Sequence, residues 1–323
     1  MAAERTVAVN GVDLHLYEDG PQDGPVVVLS HGFPELAYSW RHQIPALAAA
    51  GHRVLAPDQR GYGRSSAPAE IAAYDIEHLT GDLVALLDSI GEEKAVFVGH
   101  DWGSMVVWQT ALLHPDRVAG VCGMSVPFSP RPPAPPTQLW KQVFAGQFFY
   151  ILYFQEPGVA DAELNADPPR VMRRLLTSVR TDSPAASAAD PNADDGRGFA
   201  DRFPEPDALP AWLTQEELDF YSSEFSRTGF TGGLNWYRNF DRNFELTPQL
   251  AGAKIDAPSL FIGGALDPVL LMAPPDQQAQ WLTDFRGNVL IDDAGHWVQQ
   301  EKADEVNTAL LDWLRAIGWD SRK

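Results

Sequence analysis

Apolar positions along the first hundred residues follow two different periods. Thr6–Val9 and Val12–Tyr17 alternate apolar and polar positions about an Asn10-Gly11 step, the pattern of two strands joined by a two-residue hairpin turn. Val26–Leu29 is apolar throughout, which suits a strand buried on both faces. Beyond it, apolar strands alternate with helix-period segments. A strand at Arg53–Ala56 is followed by a helix around Tyr74–Ile90, a strand at Ala95–Val98, a helix at Gly103–Leu113 and a strand at Val118–Val126. The alternation returns near the end of the chain with a strand at Ser259–Gly263, a short helix near Pro275–Leu282, a strand at Val289–Asp292 and a final helix near Ala303–Ile317. The pattern predicts an α/β fold with a mostly parallel, doubly wound sheet to which both ends of the chain contribute.

Between these two halves the pattern breaks. Pro127-Phe-Ser-Pro-Arg-Pro-Pro-Ala-Pro-Pro136 excludes regular structure and marks an exit from the sheet. Trp140–Phe154 and Leu213–Phe240 are aromatic and helix-prone, so the middle reads as a mainly helical cap inserted into the core. The expected division is core at residues 1–127 and 251–323, with the cap at 128–250. The apolar run Val143–Phe154 is too short to span a bilayer and lacks a basic flank, so it reads as cap core rather than a membrane-lying segment. Thr181–Pro210 is rich in Pro, Ala, Ser and Asp, and residues 155–220 hold 14 Asp+Glu against 6 Arg. That stretch reads as a solvated surface loop, with an acidic docking surface as the other reading.

Composition narrows the partners. The 323 residues carry 24 Lys+Arg against 44 Asp+Glu, a formal net charge of −20. Such a field repels phosphate backbones and anionic lipid, so neither nucleic acid nor membrane is an expected partner. The single cysteine, Cys122, forms no intrachain disulfide, and no apolar run reaches bilayer length. The expectation is a soluble, cytoplasmic protein; a homo-oligomer is compatible with the sequence, which carries no heptad or edge-strand signal for one.

The chemistry begins at Ala95-Val-Phe-Val-Gly-His-Asp-Trp-Gly103, an apolar strand running into a helix through a turn with small residues two places either side of Asp101. This is the nucleophile-elbow arrangement, with aspartate where serine is usual. A carboxylate with a reference pKa of about 3.9 is ionised at neutral pH and attacks without a base. It suits displacement at a saturated carbon, giving an alkyl ester on the enzyme. A second step must hydrolyse that ester, which requires a base and oxyanion donors. His296, in the loop Asp292-Asp-Ala-Gly-His-Trp-Val298, is the expected base. Asp267, after the preceding strand, is the acid that orients it, and the chain order nucleophile, acid, histidine is that of α/β-hydrolases. Asp292 and Asp293 are rival acids but lie too close to His296 in sequence. His31-Gly-Phe-Pro-Glu35 follows the strand Val26–Leu29, which assigns the oxyanion donors to the amides of Phe33 and Trp102. His100, beside the nucleophile, is expected to point elsewhere.

With these residues in view, the chain resembles the soluble epoxide hydrolases of the α/β-hydrolase superfamily, in the form without an attached phosphatase domain. The resemblance runs from the first hairpin to the final helix. It rests on His31-Gly-Phe-Pro34, Asp58-Gln-Arg-Gly-Tyr-Gly63, Gly99-His-Asp-Trp-Gly103, Tyr153-Phe-Gln-Glu-Pro-Gly158, Leu234-Asn-Trp-Tyr-Arg-Asn239 and Gly295-His-Trp297. It implies that two cap tyrosines hydrogen-bond the epoxide oxygen, mapped onto Tyr153 and Tyr237, and that the peptide before Pro34 is cis. It also implies a detoxification or catabolic role, with a small apolar epoxide and water as substrates and neither metal nor organic cofactor. Phenols with reference pKa near 10 suit the task, because ring opening expels an alkoxide that needs an acid. Trp236, Phe148 and Phe149, together with Phe33 and Trp102, would line the pocket. Tyr62, Tyr150 and Tyr221 are read as packing aromatics, Tyr150 lying one helical turn from Tyr153. Haloalkane or haloacid dehalogenases also resemble the chain, but Phe33 offers no side-chain halide donor. A non-catalytic ligand-binding relative of the same fold would be expected to lack a member of the triad.

Overall fold

The computed structural model describes residues 2–183 and 192–320. Eight strands form one sheet: β1 (Ala3–Val9), β2 (Val12–Asp19), β3 (Val26–Ser30), β4 (Arg53–Pro57), β5 (Ala95–His100), β6 (Val118–Met124), β7 (Ser259–Gly264) and β8 (Phe285–Ile291). Their spatial order is β1-β2-β4-β3-β5-β6-β7-β8. The β1/β2 and β2/β4 pairs are antiparallel, and every later pair is parallel. In β3, Val26 and Val28 join one core and Val27 and Leu29 the other, all fully buried. A strand that feeds two cores has no polar face to show, hence its unbroken apolar run.

The helices follow from local signals. Ile76–Ser89 starts where the Asp75 side chain accepts the His78 N–H at 3.1 Å, an N-cap that meets one of the unpaired first-turn donors. Trp102–Leu113 packs on one side of the sheet, and Gln43–Ala49 and Ala303–Ala316 cover the other. The short helix expected near Pro275–Leu282 is a 3-10 helix, Pro275–Trp281. One expectation near the end of the chain is corrected: β8 begins at Phe285 rather than Val289. Arg286-Gly-Asn288 hides that start, because an edge strand need not be apolar.

Between β6 and β7 the described chain is helical, and this segment is called the cap below. Its helices are Pro136–Val143, Tyr150–Tyr153, Val159–Ala166, Pro168–Ser178, Gln215–Thr228, Thr231–Arg238 and Phe240–Leu246. The single run expected over Trp140–Phe154 is two short helices, broken near Gly146 at φ +74°. Pro168 and Pro169 open a helix at its first turn, where a missing N–H costs nothing. Of the acidic insert, residues 184–191 lie outside the described residues. Several of its other acids are already paired: Asp201 with Arg170 and Arg174, Glu205 with Arg173 and Arg174, and Asp195 with Arg197. No helix among the described residues is long and apolar enough to cross a membrane.

Candidate active site

Asp101 stands between β5 and the helix Trp102–Leu113 at φ +52°, ψ −119°, a conformation few non-glycine residues adopt. The turn is tight enough that a Cβ on Gly103 would lie 1.9 Å from the Ser30 carbonyl oxygen, so only glycine fits there. This geometry lifts the Asp101 carboxylate clear of the sheet. Its Oδ1 accepts the Phe33 backbone N–H at 2.8 Å, from the loop whose Phe33–Pro34 peptide is cis. Oδ2 lies 3.5 Å from His296 Nε2. On the far side of the imidazole, Nδ1 is 2.9 Å from Asp267 Oδ2, and Asp267 and His296 are both buried. Asp292 and Asp293 point outward, as the choice of Asp267 requires.

Electrostatics follow from this arrangement. Burial disfavours a charged imidazole, but Asp267 and Asp101 outweigh it and hold the His296 pKa well above its ordinary value. His100 does point away from the reacting side. Its Nδ1 meets Glu35 Oε2 at 2.6 Å and its Nε2 donates to the His296 carbonyl at 2.8 Å. Glu35 also accepts the Gly32 N–H and both Gln299 and Gln300 Nε2 groups. With so many donors around it Glu35 is held as a carboxylate. Burial alone would raise the Glu35 pKa; His100 reverses this and brings it down to about 2. Sequence reasoning misses this pair, because it is assembled from a loop and a strand end 65 residues apart.

The cap supplies an aromatic roof. The Tyr237 ring lies 5.1 Å from that of Trp102 and 5.3 Å from that of Phe33, and the Trp102 indole faces its hydroxyl. Burial and then the Asp101 charge push the Tyr237 phenol well above its usual pKa. Tyr153 requires a correction. Its hydroxyl donates to Glu163 Oε2 at 2.8 Å, and the charges that act on it are Glu163, Arg202 and Asp201 rather than Asp101. Tyr150, three residues earlier, faces the Asp101 side instead. Its ring centre is 6.0 Å from that of Tyr237, and after burial it is the Asp101 and Asp267 charges that raise its phenol pKa. On the four-residue helix Tyr150–Tyr153, Tyr150 faces the core and Tyr153 the outer cap. The sequence motif points to the second tyrosine; both rings are half-buried, and what separates them is the hydroxyl partner and the charges each one faces.

Phe148 goes with Tyr153: it packs 5.4 Å from that ring and under the Arg202 guanidinium at 3.4 Å, away from Asp101. Phe149 stacks on Phe144 at 4.0 Å and sits behind Trp140, one ring removed from the site. Trp236 meets Trp102 at 5.8 Å, but its indole N–H is bound to the Arg60 carbonyl, which makes it a cap anchor as well. Phe240, 4.8 Å from Trp102, and Phe154, 5.0 Å from Tyr237, complete the roof and were not foreseen.

A half-buried carboxylate at a strand-to-helix elbow, backed by a His–Asp pair at the ends of later strands of one mostly parallel sheet, defines the α/β-hydrolase class, and residues 25–303 match the alpha/beta hydrolase fold family. The chain is 60% identical over 314 residues to Epoxide hydrolase A of Mycobacterium tuberculosis, covering 97% of this chain and 98% of that one. Epoxide Hydrolase A from Mycobacterium thermoresistibile superposes with a TM-score of 0.94 at 60% identity, over 98% of each chain. An epoxide hydrolase from an endophytic Streptomyces gives a TM-score of 0.91 at 44% identity, over 98% of this chain and 96% of that one. The chain belongs to the soluble epoxide hydrolase family and is an enzyme of the hydrolase class.

Proposed function

We propose that the protein adds water to a small apolar epoxide to give a vicinal diol, through a covalent ester on Asp101. The carboxylate attacks one ring carbon, the C–O bond breaks, and the departing alkoxide takes a proton from Tyr150 or Tyr237. Both phenols have raised pKa values and so stay protonated at neutral pH, available as donors. Esterification removes the negative charge of Asp101, one of two carboxylates that keep the proton on His296. The imidazolium then releases that proton, to the tyrosinate or to solvent, and the neutral imidazole accepts one from water as the water attacks the ester carbonyl. The oxygen that becomes the oxyanion is a carboxyl oxygen of Asp101 itself, and the Phe33 N–H is already 2.8 Å from Oδ1. Trp102 N–H is the second donor in this reading. Collapse frees the diol and restores the carboxylate.

The observation that carries the reading is the pairing of a carboxylate nucleophile with two cap phenols that both feel its charge. The names of the relatives point the same way. The test is a single turnover of styrene oxide in oxygen-18 water with enzyme in excess. Label in the peptide carrying Asp101, with unlabelled first-turnover diol, is the expected result. Label directly in the diol would mean that water attacks the epoxide and that Asp101 acts as a base.

A further inference from the structure

The segment that leaves the cap helix Pro168–Ser178 runs across both loops that carry the His–Asp pair. The His296 N–H donates to the Val179 carbonyl at 3.1 Å, and the Thr181 N–H donates at 2.9 Å to the carbonyl of Leu266, the residue before Asp267. The Trp297 indole N–H is bound to the Leu175 carbonyl at 3.1 Å, so the cap reaches the histidine loop at two levels. Beneath this strap lies a carboxylate with no part in the chemistry so far described. Glu301 is nearly inaccessible, its side chain 3% exposed. Its Oε2 accepts the Gly295 N–H at 2.9 Å and its Oε1 the Trp297 N–H at 3.0 Å, so it holds the peptide groups on either side of His296. Its charge partner is the cap's Arg180, whose Nη1 donates to Oε2 at 2.9 Å. The other guanidinium nitrogens of Arg180 bind Asp293 of the same loop and Asp182 of the strap.

We propose that Arg180 and Glu301 are positioning residues for ester hydrolysis, through which the cap fixes the register of the His296 loop. The proposal rests on the covalent route set out above. His296 does nothing in ring opening, where Asp101 and the phenols act, but in the second step its Nε2 must stand within hydrogen-bond reach of a water aimed at the ester. Displacing a catalytic group by about 1 Å costs up to about a hundredfold in rate. Arg180 neutralises a buried carboxylate that would otherwise stand uncompensated against the backbone of the loop. Without it, Glu301 takes up a proton or turns outward, and at least one of the two peptide N–H groups loses its acceptor. The cap is then more than a roof over the substrate, because it completes the base.

The test compares wild type with Arg180→Met, Arg180→Lys, Glu301→Gln and His296→Gln by rapid mixing with styrene oxide, acid quench, and mass analysis of the peptide carrying Asp101. In Arg180→Met and Glu301→Gln the ester should form within about twofold of the wild-type rate and decay about tenfold more slowly. kcat and KM should fall together, leaving kcat/KM nearly unchanged, since a slow second step raises the standing level of ester. Arg180→Lys should restore decay to within about threefold, because it keeps the charge. Glu301→Gln preserves volume and one acceptor, and it carries the test should Arg180→Met fail to fold. Wild-type decay in these variants would overturn the proposal, as would equal slowing of formation and decay, which signals general distortion of the cap. His296→Gln separates the two levels of inference. If it accumulates no ester, the covalent route fails and the strap's role with it; if it does while the strap variants do not, the strap proposal alone fails.

Discussion

Two tyrosines three residues apart on one short helix, Tyr150 and Tyr153, meet different electrostatic surroundings. Tyr150 feels Asp101 and Asp267, whereas Tyr153 spends its hydroxyl on Glu163. A general acid contributes about 10²- to 10⁴-fold to the step it serves. Tyr150→Phe and Tyr237→Phe should therefore slow ester formation at least about a hundredfold each in single-turnover measurements, while Tyr153→Phe stays within about twofold. Equal losses in all three would remove the assignment of Tyr150. His296 offers a second test at this scale. Burial lowers the affinity of its imidazole for a proton, and Asp267 with Asp101 more than restores it. In Asp101→Asn one of those carboxylates is neutral, as it is in the ester. The His296 pKa should drop, visible as a displaced titration of its ring protons by NMR. An unchanged titration would mean that esterification does not release the base.

At the level of elements, the loop after β3, the end of β5 and the histidine loop converge on the Glu35–His100 pair. Glu35 holds the Gly32 amide beside the Phe33 donor, and His100 holds the His296 carbonyl. The pair therefore ties the Phe33 loop to the His296 loop. It also carries a pH signature. The Glu35 pKa is depressed on folding from 4.5 to about 2, so its contribution to stability is complete above about 4.5 and is lost as pH falls toward 2. In Glu35→Gln that loss is absent. Unfolding free energy from urea titrations should fall less steeply with acid between pH 4.5 and 2 than in wild type, by up to one proton, about 1.4 kcal/mol per pH unit. Parallel slopes would mean that the Glu35 carboxyl is not depressed on folding. The same elements show what was legible in the sequence. The strands, the elbow, Asp267 and His296 could be read because each lies at a strand end that a local pattern announces. The surroundings of Tyr150, Glu35 and Glu301 could not, since they depend on which groups the fold brings against these residues. The edge strand β8 was half hidden for a related reason, its outer side imposing no apolar pattern.

The whole molecule works only if sheet and cap, which share one apolar core on this side, meet in one register. Arg227 donates to the Gly63 carbonyl and Trp236 to the Arg60 carbonyl, so the cap grips the loop after β4 from two helices. Between these bonds the contact is backbone on backbone: a Cβ on Gly232 would lie 2.2 Å from the Gly61 carbonyl oxygen. No side chain can yield there, so one methyl group must lift the helix Thr231–Arg238 or shift the loop. Tyr237 rides on that helix five residues further on, with its hydroxyl facing Trp102 beside the nucleophile. In the proposed route, ring opening needs the phenol at hydrogen-bond distance from an oxygen whose position Asp101 fixes, whereas ester hydrolysis draws on His296 and Phe33. Gly232→Ala should thus slow ester formation by about tenfold or more and leave ester decay within about threefold, the reverse of the strap variants. If both half-reactions of Gly232→Ala instead ran at wild-type rates, with only a lower melting temperature, the glycine contact would serve cap stability alone, and the height of Tyr237 would have to be set by Trp236.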